Sequence, residues 1–158
     1  MKGNKKIIER LNALLADELT AINQYIVHSE MCANWGYERL HEAIEKRAIT
    51  EMKHAEKLIE RILFLEGTPI VSKLNEIKIA ADVKAQFESD LAAEHMAVEA
   101  YNEGIALAVE VGDNGTRALL ESILADEEAH VDWLEAQLDQ IKQIGIENYL
   151  TEQLKSHK

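Results

Sequence analysis

The chain is short of the residues that interrupt helices. Among 158 residues it has one proline, Pro69, and seven glycines, and only 5% of its residues are aromatic. That shortage argues against a strand-and-turn architecture and favours helix. The single cysteine, Cys32, excludes an internal disulfide. It falls in a helical pattern and reads as a small packed side chain or a partly exposed thiol. Basic residues number 17 against 29 acidic ones, for a net charge of −12. An acidic surface repels nucleic acid and anionic membranes and attracts cations, although acidity by itself also serves solubility. Long apolar runs are missing too. The opening "MKGNKKIIERLNALL" carries charges throughout, which fits neither a signal peptide nor a membrane span and makes the cytoplasm the expected location. The length suits one domain, 1–158, with one sizeable core.

What is present is helical periodicity. Apolar residues at helix spacing predict helices over about 5–34 (Ile8, Leu11, Leu15, Ile22, Ile26), 39–66 (Leu40, Ile44, Leu58, Ile62, Leu65), 82–111 (Phe87, Leu91, Val98, Ile105) and 114–144 (Leu120, Ile123, Leu134, Leu138, Ile141). A short fifth helix is expected over about 146–153. "NWGYE", "EGTP", "GDNGT" and Gly145 punctuate the pattern. Each long helix spans about 40 Å at ~1.5 Å per residue. The short first and third links make antiparallel hairpins. The segment from Gly67 to Ala81 can stretch about 50 Å at ~3.3 Å per residue, enough to run the length of a bundle. The predicted fold is therefore all-α: an antiparallel four-helix bundle with one long crossover and a short C-terminal helix.

The two halves repeat. "EMKH" (Glu51 to His54) and "EEAH" (Glu127 to His130) stand 76 residues apart. At the same offset "LADELTAINQY" (Leu15 to Tyr25) aligns with "LAAEHMAVEAY" (Leu91 to Tyr101), with five of eleven positions identical. Glu18 precedes Glu51 by 33 residues, and Glu94 precedes Glu127 by the same 33. Each hairpin thus carries one lone Glu and one Glu-x-x-His pair. Residues three apart share a helix face, so Glu51 with His54, and Glu127 with His130, can each reach one point. Their neighbours on those faces are apolar, which turns all four glutamates into the core. Four buried carboxylates need compensation, because each buried ion costs several kcal/mol and like charges raise that cost. No Lys or Arg is expected at the right level on these faces to pair with them all. Two divalent cations would balance them, with imidazole nitrogen filling further coordination sites. Such a donor mix suits iron or manganese, and zinc can compete.

On these residues, together with Tyr25 and Trp133, the chain resembles the bacterioferritins from about Met1 to Gln153. The resemblance implies a ferritin-like domain and an intrasubunit di-iron ferroxidase centre of Glu18, Glu51, His54, Glu94, Glu127 and His130. Glu51 and Glu127 would bridge the irons, with Glu18 and His54 completing one and Glu94 and His130 the other. Eukaryotic ferritins usually lack the second Glu-x-x-His, mini-ferritins build their site between subunits, and rubrerythrins need more cysteine than this chain has. The resemblance further implies Fe²⁺ oxidation by O₂ or H₂O₂, ferric mineral storage, and a homo-oligomeric shell of about 24 subunits built from dimers. The fifth helix would sit at its fourfold axes. Met52 lies about 100° round the helix from Glu51, on a stripe with Ile49, Glu45 and Ile59. It matches the methionine that, with its twin across a dimer twofold, ligates haem b. Ile22, Met31 and Trp35 are candidate pocket neighbours. Haem would assist iron release, fed by a ferredoxin-type electron donor.

Tyr25 and Tyr101 follow Glu18 and Glu94 by two turns. They are expected to pack and to hydrogen-bond a metal-bound carboxylate, and Tyr25 is a candidate electron donor during oxidation, as is Trp133 near His130. His28, His41, His95 and His157 lack ligand spacing and read as surface or interface residues. "MCANW" (Met31 to Trp35) reads as an apolar outer patch needing cover. The competing readings are a di-iron or di-manganese oxidoreductase without a storage role, and a structural bundle that satisfies its carboxylates without metal.

Overall fold

The computed structural model describes residues 1–155, and His157 lies outside them. It contains α1 (Lys5–Asn34), α2 (Glu38–Phe64), α3 (Val83–Val111), α4 (Asn114–Ile144) and α5 (Ile146–Thr151). Side-chain caps start three of the long helices. Asn4 accepts from the Lys6 and Ile7 amides, Asp82 from Ala85 and Asp113 from Thr116. Gly112 ends α3 at φ 73°, a left-handed turn that glycine enters without strain.

The second helix stops two residues sooner than its apolar pattern suggests, and the reason is local. Glu66, not Gly67, takes the left-handed position (φ 62°). The Gly67 amide then returns to the Ile62 carbonyl and the Glu66 amide to Leu63. Gly67 is required by space instead: a Cβ there would lie 2.7 Å from Ile8 Cγ2. The fifth helix ends at Thr151 rather than Gln153, with the last turn closing through Gln153 N–H to the Leu150 carbonyl.

Cross-bundle hydrogen bonds give the helix directions. Tyr25 of α1 reaches Glu94 of α3, and Tyr101 of α3 reaches Glu18 of α1, so these two run antiparallel. Arg61 meets Asp113 while Arg47 meets Glu127, so α2 and α4 also run antiparallel. Because α1 and α2 form a hairpin, α2 and α3 point the same way, and the chain must cross the whole bundle between them.

That crossing lies along α1, whose polar residues hold it. Asn12 binds both the Thr68 carbonyl and the Ile70 amide. Thr20 accepts from the Asn75 amide at 2.9 Å, Gln24 from Lys78 at 3.1 Å, and His28 Nε2 from Ala80 at 3.1 Å. With Nε2 accepting, the His28 proton sits on Nδ1, which donates to Asp90 at 3.0 Å. His28 is therefore fully buried, not a surface residue as its lack of ligand spacing suggests; the crossover covers it. His95 is exposed, and His41 is partly covered, its ring bound to Ser29. In the "MCANW" patch Cys32 is buried and packed, and Trp35 remains outside.

The core comes in two apolar halves. One gathers Leu11, Leu15, Leu58, Ile62, Tyr101 and Leu120, and the other Tyr25, Leu40, Ile44, Phe87, Leu134 and Ile141. In every long helix the repeated Glu or Glu-His lies between the residues given to the two halves. A layer of buried polar side chains thus crosses the middle of the bundle.

Candidate metal centre

Glu18 comes from α1, Glu51 and His54 from α2, Glu94 from α3, and Glu127 and His130 from α4. All six are buried, with the four glutamates at most 2% exposed. Their donor atoms form two groups, each within 4.8 Å of itself: Glu18, Glu51, His54 and Glu127 in one, and Glu51, Glu94 and His130 in the other. Glu51 belongs to both. Glu127 belongs to one.

The two lone glutamates are held alike. The Tyr101 hydroxyl donates to Glu18 Oε1 at 2.5 Å, and the Tyr25 hydroxyl donates to Glu94 Oε1. Each tyrosine therefore serves the glutamate of the other half, not the one two turns before it on its own helix. The second oxygens, Glu18 Oε2 and Glu94 Oε2, are buried with no hydrogen-bond partner. Glu51 Oε1, Glu127 Oε1 and His54 Nδ1 are likewise buried without one. These five buried donor atoms, four carboxylate oxygens and one imidazole nitrogen, are of the types a divalent cation takes.

The histidines are set by neighbours outside the six. His54 turns Nδ1 inward, 3.2 Å from Glu127 Oε1, and its Nε2 lies 2.7 Å from Asp126 Oδ2. A carboxylate on the outer nitrogen orients a ligand imidazole and raises its basicity. His130 Nδ1 lies 2.9 Å from Glu94 Oε1. Its ring stacks on Trp133 at 6.0 Å and meets the edge of Tyr25 at 5.4 Å.

The sequence reading is corrected at one position: a cation does reach this level. Arg47 stands one turn before Glu51 on the same face, and its length carries the guanidinium inward. Its Nη2 lies 3.0 Å from Glu127 Oε2, 2.5 Å from Glu51 Oε1 without hydrogen-bond alignment, and 4.0 Å from Glu94. Nη1 donates to the Asp126 carbonyl at 3.2 Å. The i,i+4 spacing from Arg47 to Glu51 was the available signal for this contact. Asp126 carried none beyond its place next to Glu127.

Protons and Arg47 together answer the charge problem. Burial, then the nearby Glu51 charge, pushes the Glu18 carboxyl well up. Burial, then the Glu18 charge, does the same to Glu127. Burial also opposes ionisation of Glu51, but its close approach to Glu18 and His54 and the Arg47 charge outweigh it and bring its pKa down. Glu94 is likewise lowered against burial, by its approach to Glu127 and its bond with His130. Burial alone would lower His54, yet the adjacent carboxylates of Glu127, Glu18 and Glu51 push it up to about 12. Burial thus favours the neutral form of Glu18 and Glu127, while Arg47 and His54 favour the ionised form of Glu51.

A cleft of about 310 Å³ leads to this layer between α1 and α3, beside the crossover. Asp17, Asn75 and Glu76 line its outer part, and Glu18, Glu51 and Glu94 its floor. Met52 points elsewhere. It is 46% exposed on the outer face of α2, with Ile49 at 44%.

The ferritin family model, described as a ferritin-like domain, matches residues 8–144. A bacterioferritin of Brucella melitensis is 44% identical over 149 residues, covering 94% of this chain and 92% of its own. A bacterioferritin of Rhodobacter capsulatus is 43% identical with the same coverage. One from Mycolicibacterium paratuberculosis is 42% identical over 94% of both chains. The chain belongs to the bacterioferritin family. The all-helical bundle with its short C-terminal helix agrees with that membership. Among the described residues, no helix is long and apolar enough to cross a membrane.

Proposed function

We propose that this protein stores and detoxifies iron, oxidising Fe²⁺ at the buried layer and passing ferric iron to a mineral inside a hollow shell. The observation that carries this reading is the convergence of the six repeated side chains with their free oxygens turned to one another. Fe²⁺ is the substrate. Glu18, Glu51, His54 and Glu127 would hold one ion, and Glu94 and His130 with Glu51 the other. Glu51, shared by both groups, suits a bridging role, and Glu127 is the second candidate bridge. Four ferrous ions, four protons and one dioxygen give four ferric ions and two waters, and peroxide can replace dioxygen as the oxidant.

The chain's own residues do the rest. Carboxylates favour the higher charge of the ferric ion and bind through one or both oxygens as the geometry changes. Tyr101 and Tyr25 fix one oxygen of Glu18 and Glu94, leaving the other to the metal, and Tyr25 would also give up an electron during oxidation. Asp126 keeps the His54 ring turned. The cleft beside Asp17 and Glu76 offers Fe²⁺ an acidic approach.

Met52 would hold haem b, with the partner subunit of a dimer supplying the matching thioether. A solvent-facing thioether beside the exposed Ile49 supports this reading. Bound there, haem would supply electron transfer for ferric iron release, drawing on a ferredoxin-type donor. The assembly would be a shell of about 24 subunits in the cytoplasm.

The test is oxidation of Fe²⁺ by the purified protein and its Glu127→Ala variant, with native size checked. Loss of oxidation in an assembled variant supports the site, and full activity counts against it. A small assembly with no mineral would favour an oxidoreductase without storage.

A further inference from the structure

Arg47 has an unusual place. Its side chain is only 12% exposed, and its guanidinium contacts Glu51 and Glu127 inside the buried layer. Both terminal nitrogens are bonded, but Nε is buried with no partner, and glutamate oxygens around the guanidinium keep unused lone pairs. A guanidinium leaves such oxygens partly unmet, whereas a small divalent cation can take several of them at once.

The position is also central. Arg47 Nη2 lies between the two candidate bridging carboxylates, 2.5 Å from Glu51 Oε1 and 3.0 Å from Glu127 Oε2. Oxygens drawn to a guanidinium are not free to bind metal at the same time. Two cations and a guanidinium in one pocket would also repel each other strongly at these distances.

We infer that Arg47 is the resident counter-cation of the metal-free centre, that it withdraws as divalent metal enters, and that it thereby sets the metal affinity. This rests on the reading that the six side chains hold iron. A route outward is marked by Nη1, which already donates to the main-chain carbonyl of Asp126, a residue whose side chain is exposed. The exchange replaces one fixed cation beside Glu51 and Glu127 with mobile ones.

The test uses Co²⁺, which binds such donors without turnover. Equilibrium dialysis and the visible Co²⁺ absorption bands are compared for the full chain and its Arg47→Gln variant. We expect the variant to bind at least about tenfold more tightly. Its metal-free form should melt several degrees lower and its Co²⁺ form at the parent temperature. Equal or weaker binding by the variant, with the parent binding normally, overturns the role of Arg47 and leaves the site intact. Absence of Co²⁺ binding in both proteins overturns the site and this inference together. Should the variant not fold, a crystal structure of the parent with Zn²⁺ decides. The guanidinium is expected outside the space between Glu51 and Glu127, and finding it still between them with metal bound refutes the inference.

Discussion

Tyr101 on α3 donates its hydroxyl to Glu18 on α1 at 2.5 Å, both side chains fully buried, and the same bond recurs with the halves exchanged between Tyr25 and Glu94. The repeat in the sequence thus becomes a crossed pair in space. Because α1 and α3 are antiparallel, a tyrosine two turns after its own glutamate comes level with the glutamate of the other helix. Each bond fixes one carboxylate oxygen and leaves the other facing the centre.

Replacing Tyr101 by Phe leaves Glu18 Oε1 buried without a donor. The expected loss is about 1–3 kcal/mol in denaturant unfolding of the metal-free protein, together with slower Fe²⁺ oxidation. Tyr25→Phe should behave alike through Glu94. An unchanged midpoint in both variants would mean that the hydroxyls do not hold these carboxylates.

Burial of these carboxyls gives the sign of the pH dependence expected of the metal-free protein. Glu18 and Glu127 are raised, so their contribution is full below the ordinary carboxylate value of about 4.3 and is lost as pH climbs. His54 is raised to about 12, so its contribution is full below its ordinary value of about 6.5 and fades above it. Glu51 and Glu94 are lowered and oppose this only in acid, where their contribution disappears as pH falls. Metal-free stability should therefore decline from about pH 6 to about pH 9. Metal binding near neutrality should release protons, measurable with an indicator dye in weak buffer. A flat stability profile with no proton release would contradict these shifts.

Gly67→Ala should cost about 1–3 kcal/mol, since the new methyl meets Ile8 Cγ2 at 2.7 Å and Ile62 Cγ2 at 3.0 Å in a packed core. Thermal unfolding reads it. A loss under about 0.5 kcal/mol would show that the start of α1 yields easily at this contact.

Met52→Leu should abolish the haem absorption bands while assembly and Fe²⁺ oxidation persist. Unchanged bands would remove Met52 as the axial ligand.

Much of this molecule was legible in its sequence. Helix periodicity and scarce proline set out the four long helices, and the length of the segment after Gly67 pointed to the crossover. The doubled Glu-x-x-His, with Glu18 and Glu94 at equal offsets, marked one layer of the bundle, because spacing along a helix translates directly into a shared face. Reach was harder to see. Arg47 lies on the rim, and only its long side chain brings it between Glu51 and Glu127. Burial by non-local chain was hidden as well. His28 looks like a surface residue until the crossover is laid over α1, and its Asp90 partner is 62 residues away. The end of α2 misled for a different reason: steric room, not backbone angle, placed the glycine at position 67.

Anaerobic binding of Fe²⁺ to the metal-free protein probes the buried layer most directly. Saturation at about two tightly held ions per chain is expected, falling sharply in a Glu51→Ala, Glu127→Ala double variant that keeps its fold. Weak binding with no defined stoichiometry, equal in the parent and the double variant, would mean that these carboxylates are settled by Arg47 and protons alone and hold no metal.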